Sequence, residues 1–226
     1  RNDKFIEECG VFGIYNHPEA SNLTYLGLHA LQHRGQEGAG IACTDEIKIY
    51  NEKGIGLVSD IFDKDKINKL HGNSAIGHVR YSTSGSKNLV NVQPICVTSS
   101  AGEMAIAHNG NLTNANKLKA KLENNGAIFQ TNSDTEVIIH LISNSKKRKF
   151  VDRVIYALSK CEGAFSLLFI TKDGIIAARD PKGFRPLMLG NINNSYVIAS
   201  ETCAFDLVEA EPIREIKPGE VLEINN

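Results

Sequence analysis

A chain of 226 residues with a formal net charge of −1, 42% hydrophobic and 23% charged, has the make-up of one large or two small globular domains with a buried core. The near-neutral balance lacks the electrostatic footprint of a nucleic-acid binder, and the one basic run, Lys146 to Lys149, reads as a solvated loop or helix end. No apolar run approaches the ~18 residues of a membrane span, and no secretory h-region is present.

The chain opens with the polar segment 1–8, then Cys9, Gly10 and an apolar run over 11–15 that predicts a strand. In 22–32, Leu23, Leu26, Ala30 and Leu31 fall at i, i+3, i+7 and i+8, a helix stopped by Gly35. Strands are predicted at 39–44, 47–50, 75–80, 95–98 and 104–107, the last ending in a turn at Asn109 and Gly110. Helices follow at 114–125, at 133–142 with Ser133 and Glu136 as a capping box, and at 151–159. Segments 164–171 and 175–178 read as a hairpin across Asp173 and Gly174, 196–199 as a strand, and the run ending KPGEVLEIN as the last strand. Hairpins and helices in blocks, without βαβ alternation or a glycine-rich nucleotide loop, predict an α+β fold of antiparallel sheets covered by helices.

The five cysteines, Cys9, Cys43, Cys96, Cys161 and Cys203, are widely spaced with no C-x-x-C, which argues against a zinc motif or disulfide framework and for a reducing, cytoplasmic compartment. All but Cys9 read as core thiols. Cys9 is read either as a core thiol starting a strand or as a nucleophile. A nucleophilic thiol needs a base. A chain-terminal cysteine has one in its own α-amine, whose ordinary pKa is roughly 7.7–8.0. That use requires cleavage between Glu8 and Cys9.

Other segments bear on the choice. Arg80 ends an apolar strand in GHVRYSTSG, where a guanidinium fork suits an α-carboxylate. Asp134 opens a helix in TNSDTEV, where the dipole keeps it ionised for an α-ammonium. In AHNGNLTN, the Asn109 amide and Gly110 N–H suit a developing oxyanion. Taken singly, each also reads as an ion-pair partner, a cap or a turn.

Together with CGVFGI and LQHRGQEGAGI, these motifs resemble the N-terminal-nucleophile (class II) glutamine amidotransferases over the whole chain from Cys9. ARDPKGFRPLMLG and ASETCAFD resemble the amidophosphoribosyltransferase branch. The resemblance implies a four-layer αββα sandwich of the N-terminal-nucleophile hydrolase type. It implies L-glutamine as substrate, Cys9 as nucleophile, Asn109 and Gly110 as oxyanion hole, and Arg34 as the holder of the Cys9 loop. Arg80 and Asp134 would bind the substrate, with Thr83 and His78 as further candidates. Segment 1–8 would be a propeptide remnant and 9–226 the glutaminase domain. The phosphoribosyltransferase domain, through which phosphoribosyl pyrophosphate would be bound, is expected to be absent from this chain. Full-length members are expected to be homo-oligomers that use Mg²⁺ and, in the propeptide-bearing subset, often a [4Fe–4S] cluster. Neither group, nor any other metal, is expected in this domain. Two alternatives stand beside this reading: a non-catalytic glutamine-binding module with Cys9 blocked, and a glutaminase serving another transferase, such as a sugar-phosphate aminating domain.

Overall fold

A computed structural model of the chain describes residues 9–81, 88–99 and 102–225; the expected propeptide, 1–8, and Thr83 lie outside the described residues. The first half runs β1 (Gly10–Tyr15), α1 (Ala20–Ala30), β2 (Gly38–Thr44), β3 (Ile49–Ile55), α2 (Val58–Ile61), α3 (Lys64–Asn68) and β4 (Ser74–Arg80). Then come β5 (Ile95–Ser99), β6 (Gly102–Leu112), α4 (Ala115–Asn124), α5 (Asp134–Ser143) and α6 (Phe150–Leu158). The chain closes with β7 (Gly163–Thr171), β8 (Gly174–Arg179), β9 (Met188–Ile192), β10 (Ser195–Ala199), α7 (Cys203–Val208), β11 (Glu211–Glu215) and β12 (Val221–Asn225).

The strands form two antiparallel sheets, ordered β11-β9-β10-β1-β4-β2-β3 and β12-β8-β7-β6-β5. Alternation along each strand sorts side chains into three apolar layers. On β1, Phe12 and Ile14 point outward to Leu28 and Leu31, beneath α1 and α7. Val11 points inward, to the layer shared with Ala105, Ala107 and Leu168 of the second sheet. On β7, Leu167 and Phe169 face the third layer, against Ile138 and Val154 of α5 and α6. Burial of such side chains contributes roughly 1.5–3 kcal/mol each. The result is the four-layer αββα order that the resemblance implies.

Three local expectations are corrected. Asn109 and Gly110 are not a turn: they sit inside β6, paired with Ser166 and Phe165 of β7, and the strand continues to Leu112. The capping box does not close, because the Glu136 carboxylate turns back to the Gln130 and Thr131 amides at 2.8 and 2.7 Å. The Ser133 hydroxyl caps Thr135 N–H instead. Strand 47–50 moves to β3, whose polar residues belong to a sheet edge, while Ile47 lies in the preceding turn, 84% exposed. Strands β9 and β11, and the short helices α2, α3 and α7, carry too few periodic apolar positions to be predicted.

Candidate active site

Cys9 immediately precedes β1 and has φ 67°, a left-handed conformation that a non-glycine residue holds only under constraint. The constraint is Arg34. Cys9 N–H donates to the Arg34 carbonyl at 2.9 Å, and Arg34 Nε donates back to the Cys9 carbonyl at 2.7 Å. Arg34 lies in the 3₁₀ turn after α1 with its side chain buried, and its Nη1 donates to the Glu201 carboxylate. Burial alone would raise the Glu201 carboxyl; the Arg34 and His33 contacts outweigh it and hold it below the ordinary carboxylate value.

The Cys9 thiol rests against the end of β4. Tyr81 N–H donates to Sγ at 3.4 Å, and the thiol lies 3.6 Å from the Tyr81 carbonyl. Arg80 is the preceding residue, with Nη1 at 3.4 Å from the Asn88 carbonyl. The Arg34 turn reaches this strand end only because residue 35 is glycine: a Cβ there would lie 2.6 Å from the Arg80 carbonyl carbon. Cys9, Arg34 and Arg80 thus form one cluster.

Asn109, Gly110 and Asp134 form a second, gathered around His108. Its N–H donates to Gln93 Oε1 at 2.7 Å, and its carbonyl lies 3.1 Å from His78 Nε2. The His108 ring Nδ1 is 3.1 Å from Thr135 Oγ1 and 3.4 Å from Asp134 Oδ1. Asp134 Oδ2 accepts from Leu112 N–H at 2.7 Å, so the carboxylate is fastened to β6 from both sides. Burial would raise the Asp134 carboxyl, but the His108 ring and the Leu112 and Thr135 amides hold it low and ionised. The same residue borders a polar cavity of about 570 Å³ with Asn111, Asn116, Lys119 and Ser133; Cys9 is not among its lining residues.

Asn109 is fully buried, yet neither its Nδ2 nor its Oδ1 has a hydrogen-bond partner among the described residues. An unsatisfied buried polar group costs about 1–3 kcal/mol, and Asn109 is the residue with both side-chain polar atoms in that state among the described residues. Gly110 has φ 151°, and a Cβ there would lie 2.0 Å from the Ala164 carbonyl oxygen, so no other residue fits.

The His78 side chain is 1% exposed, and its ring spans from β4 to the His108 carbonyl on β6, so it ties the two clusters together. Burial first, with the neighbouring His108 and Arg80 charges, pushes its pKa down to about 3, so the ring is neutral. Cys43, Cys96 and Cys161 sit in three different apolar layers, their thiols pushed up to about 12 by burial, and cannot converge on a cluster. Cys203, expected as a core thiol, is instead half-buried at the start of α7 beside Glu201. The roles of Glu201, His108 and Tyr81 were not readable in advance, since each acts through a partner distant in sequence. The one signal is that ASETCAFD places an acidic residue just beyond a strand, with no helical or sheet reason for it.

A model of the glutamine amidotransferase domain matches residues 78–206. The chain is 54% identical over 225 residues to amidophosphoribosyltransferase 3, chloroplastic, of Arabidopsis thaliana, covering 99% of this chain and 42% of that protein. It is 52% identical over 221 residues to amidophosphoribosyltransferase of Bacillus subtilis, covering 97% and 46%. Among solved structures it resembles the glutamine phosphoribosylpyrophosphate amidotransferase of B. subtilis complexed with ADP and GMP. The TM-score is 0.92 at 52% identity, over 96% of this chain and 47% of that one. The chain spans less than half the length of these curated relatives.

Proposed function

The chain belongs to the glutamine amidotransferase domain family, and from that premise we propose that it hydrolyses the side-chain amide of L-glutamine at Cys9. Cleavage between Glu8 and Cys9 converts the Cys9 amide into an α-amine. The Arg34 carbonyl, now 2.9 Å from that nitrogen, keeps it in place and leaves its lone pair to take the thiol proton. The left-handed Cys9 backbone stores about 1–3 kcal/mol that cleavage releases.

Arg80 then pairs with the α-carboxylate of glutamine and Asp134 with its α-ammonium. The Cys9 thiolate attacks the amide carbon, and Asn109 Nδ2 with Gly110 N–H takes the charge on the oxygen. The protonated α-amine of Cys9 gives its proton to the departing nitrogen. Ammonia leaves, and water cleaves the thioester to glutamate. Thr83 keeps its place as a substrate-side candidate from the motif alone.

The observation that carries this reading is the grip on Cys9: both its backbone polar groups are held by Arg34 while its thiol lies at the end of the Arg80 strand. The test is glutamate release from L-glutamine, with hydroxylamine trapping of the thioester. Loss of both in Cys9→Ala supports it; glutamate release that survives in Cys9→Ala overturns it.

For the longer protein to which such a domain belongs, the names of the relatives support delivery of the ammonia to phosphoribosyl pyrophosphate. The product would be phosphoribosylamine, at the entry to purine synthesis, made by a homo-oligomer. Mg²⁺ and any [4Fe–4S] cluster would belong to the remainder of that protein. No helix among the described residues is long and apolar enough to cross a membrane. The five cysteines, widely spaced and without C-x-x-C, support a reducing compartment, and we place the protein in the cytoplasm on that ground.

A further inference from the structure

The turn that carries Arg34 also carries His33, and the segment that carries Glu201 enters α7 through Cys203. Three donors of different chemistry meet there. His33 Nε2, Glu201 Oε2 and Cys203 Sγ all lie within 4.8 Å of one another. Nε2 is 2.9 Å from Oε2, and Sγ is 3.5 Å from the same oxygen. Residues 168 positions apart in sequence therefore aim at one point.

The His33 tautomer makes this more than crowding. Nδ1 lies 3.1 Å from the Ala30 carbonyl oxygen, which only accepts, so Nδ1 carries a hydrogen. In the neutral ring, Nε2 then presents a lone pair to a carboxylate lone pair at 2.9 Å. A cation turns that contact from repulsion to attraction, either a proton on Nε2 or a metal ion between the two. An Nδ1–H bound to a backbone carbonyl is also the arrangement that orients a metal-ligating imidazole.

We propose that His33 Nε2, Glu201 Oε2 and Cys203 Sγ bind one Zn²⁺ ion, with the fourth position open to water. The N, O and S donor set suits this borderline-soft ion and disfavours Mg²⁺ and Ca²⁺, which take oxygen ligands. Cys203 binds as thiolate and releases its proton to solvent. The His33 side chain is 56% exposed and Glu201 33%, so the ion enters from water without unfolding the chain. Zinc–ligand bonds of about 2.0–2.3 Å in a tetrahedral array place the donors roughly 3.3–3.6 Å apart, so Sγ and Oε2 already stand at the required spacing while Nε2 and Oε2 must part by a few tenths of an ångström.

The site also has a cost and a consequence. Glu201 shares its charge, because Oε1 holds Arg34 while Oε2 faces the site. The guanidinium weakens zinc binding, and zinc in turn weakens the hold on Arg34 that keeps Cys9 in place. Inhibition of glutaminase by this route rests on the proposed function; the binding itself does not.

The Cys9→Ala chain, which removes the competing thiol, is titrated with Co²⁺ as a spectroscopic probe and with Zn²⁺ by equilibrium dialysis. One equivalent of either ion is expected, with a sulfur-to-cobalt charge-transfer band in the near ultraviolet. The band should vanish on adding Cys203→Ser, and His33→Ala should weaken binding at least tenfold. No bound metal, or a spectrum and affinity unchanged by both substitutions in folded protein, overturns the site. In the active chain, zinc inhibition relieved by His33→Ala supports the link to Arg34. Inhibition unchanged by His33→Ala removes that link and assigns the effect to Cys9.

Discussion

Asn109 and Arg80 do different work in the proposed reaction, and the difference is measurable residue by residue. The Asn109 amide is buried without a described partner and has most to gain when charge appears on the substrate oxygen. Asn109→Ala should lower kcat by about 10²–10³ with little change in KM. A change confined to KM would make Asn109 a ground-state contact. Arg80→Lys keeps the charge but loses the planar fork, so KM for glutamine should rise markedly while kcat falls less. An unchanged KM removes Arg80 from the site. Both residues stand out as candidates in the motifs, an arginine ending an apolar strand and an Asn-Gly pair, although the same pair misled the local structure by suggesting a turn. Arg34 was legible as a holder of Cys9, but not its means, since its carboxylate partner is 167 positions away. His78 stands two residues before Arg80 in GHVRYSTSG and so on the same face of β4, but its reach to the His108 carbonyl, 30 positions away, shows in no local pattern.

At the scale of elements, β6 and β4 position the chemistry, and His78 joins them. Gly110→Ala should disrupt the β6–β7 ladder at the oxyanion hole, where the new Cβ meets the Ala164 carbonyl. Activity should be lost with a fall in melting temperature; full activity would show that β6 tolerates a side chain there. His78 makes acid stability a second test. An unfolded histidine takes up its proton near pH 6.5, whereas burial first holds folded His78 down to about 3. Between those values the unfolded chain binds more protons, so stability falls as pH drops through that window. His78→Gln retains a donor toward the His108 carbonyl without titrating. Its melting temperature should therefore decline less between pH 7 and pH 4 than that of the parent, and equal slopes would contradict a neutral buried His78. The central strands were readable because each alternates or runs apolar. The edge strand β3 was not read at its true extent and the five-residue edge strand β11 was not read at all, because polar edge residues blur the period of two. The Asn109 turn failed for a related reason: glycine at φ 151° serves a twisted strand as readily as a turn.

For the molecule as a whole, the αββα order brings the N-terminal side of β1, the end of β4 and the middle of β6 together through contacts that no local pattern displays. The α+β class followed from blocks of hairpins and helices, while the four layers came only with the family resemblance. The central claim is that Cys9 works with its own α-amine as base. The direct measurement is intact mass and glutamate release on the same samples: a chain beginning at Cys9, the 226-residue chain, and its Cys9→Ala variant. The account predicts activity from the first, activity from the second only in proportion to the fraction whose mass shows loss of residues 1–8, and none from the third. Glutamine hydrolysis at the full rate by a chain whose mass retains residues 1–8 would contradict it.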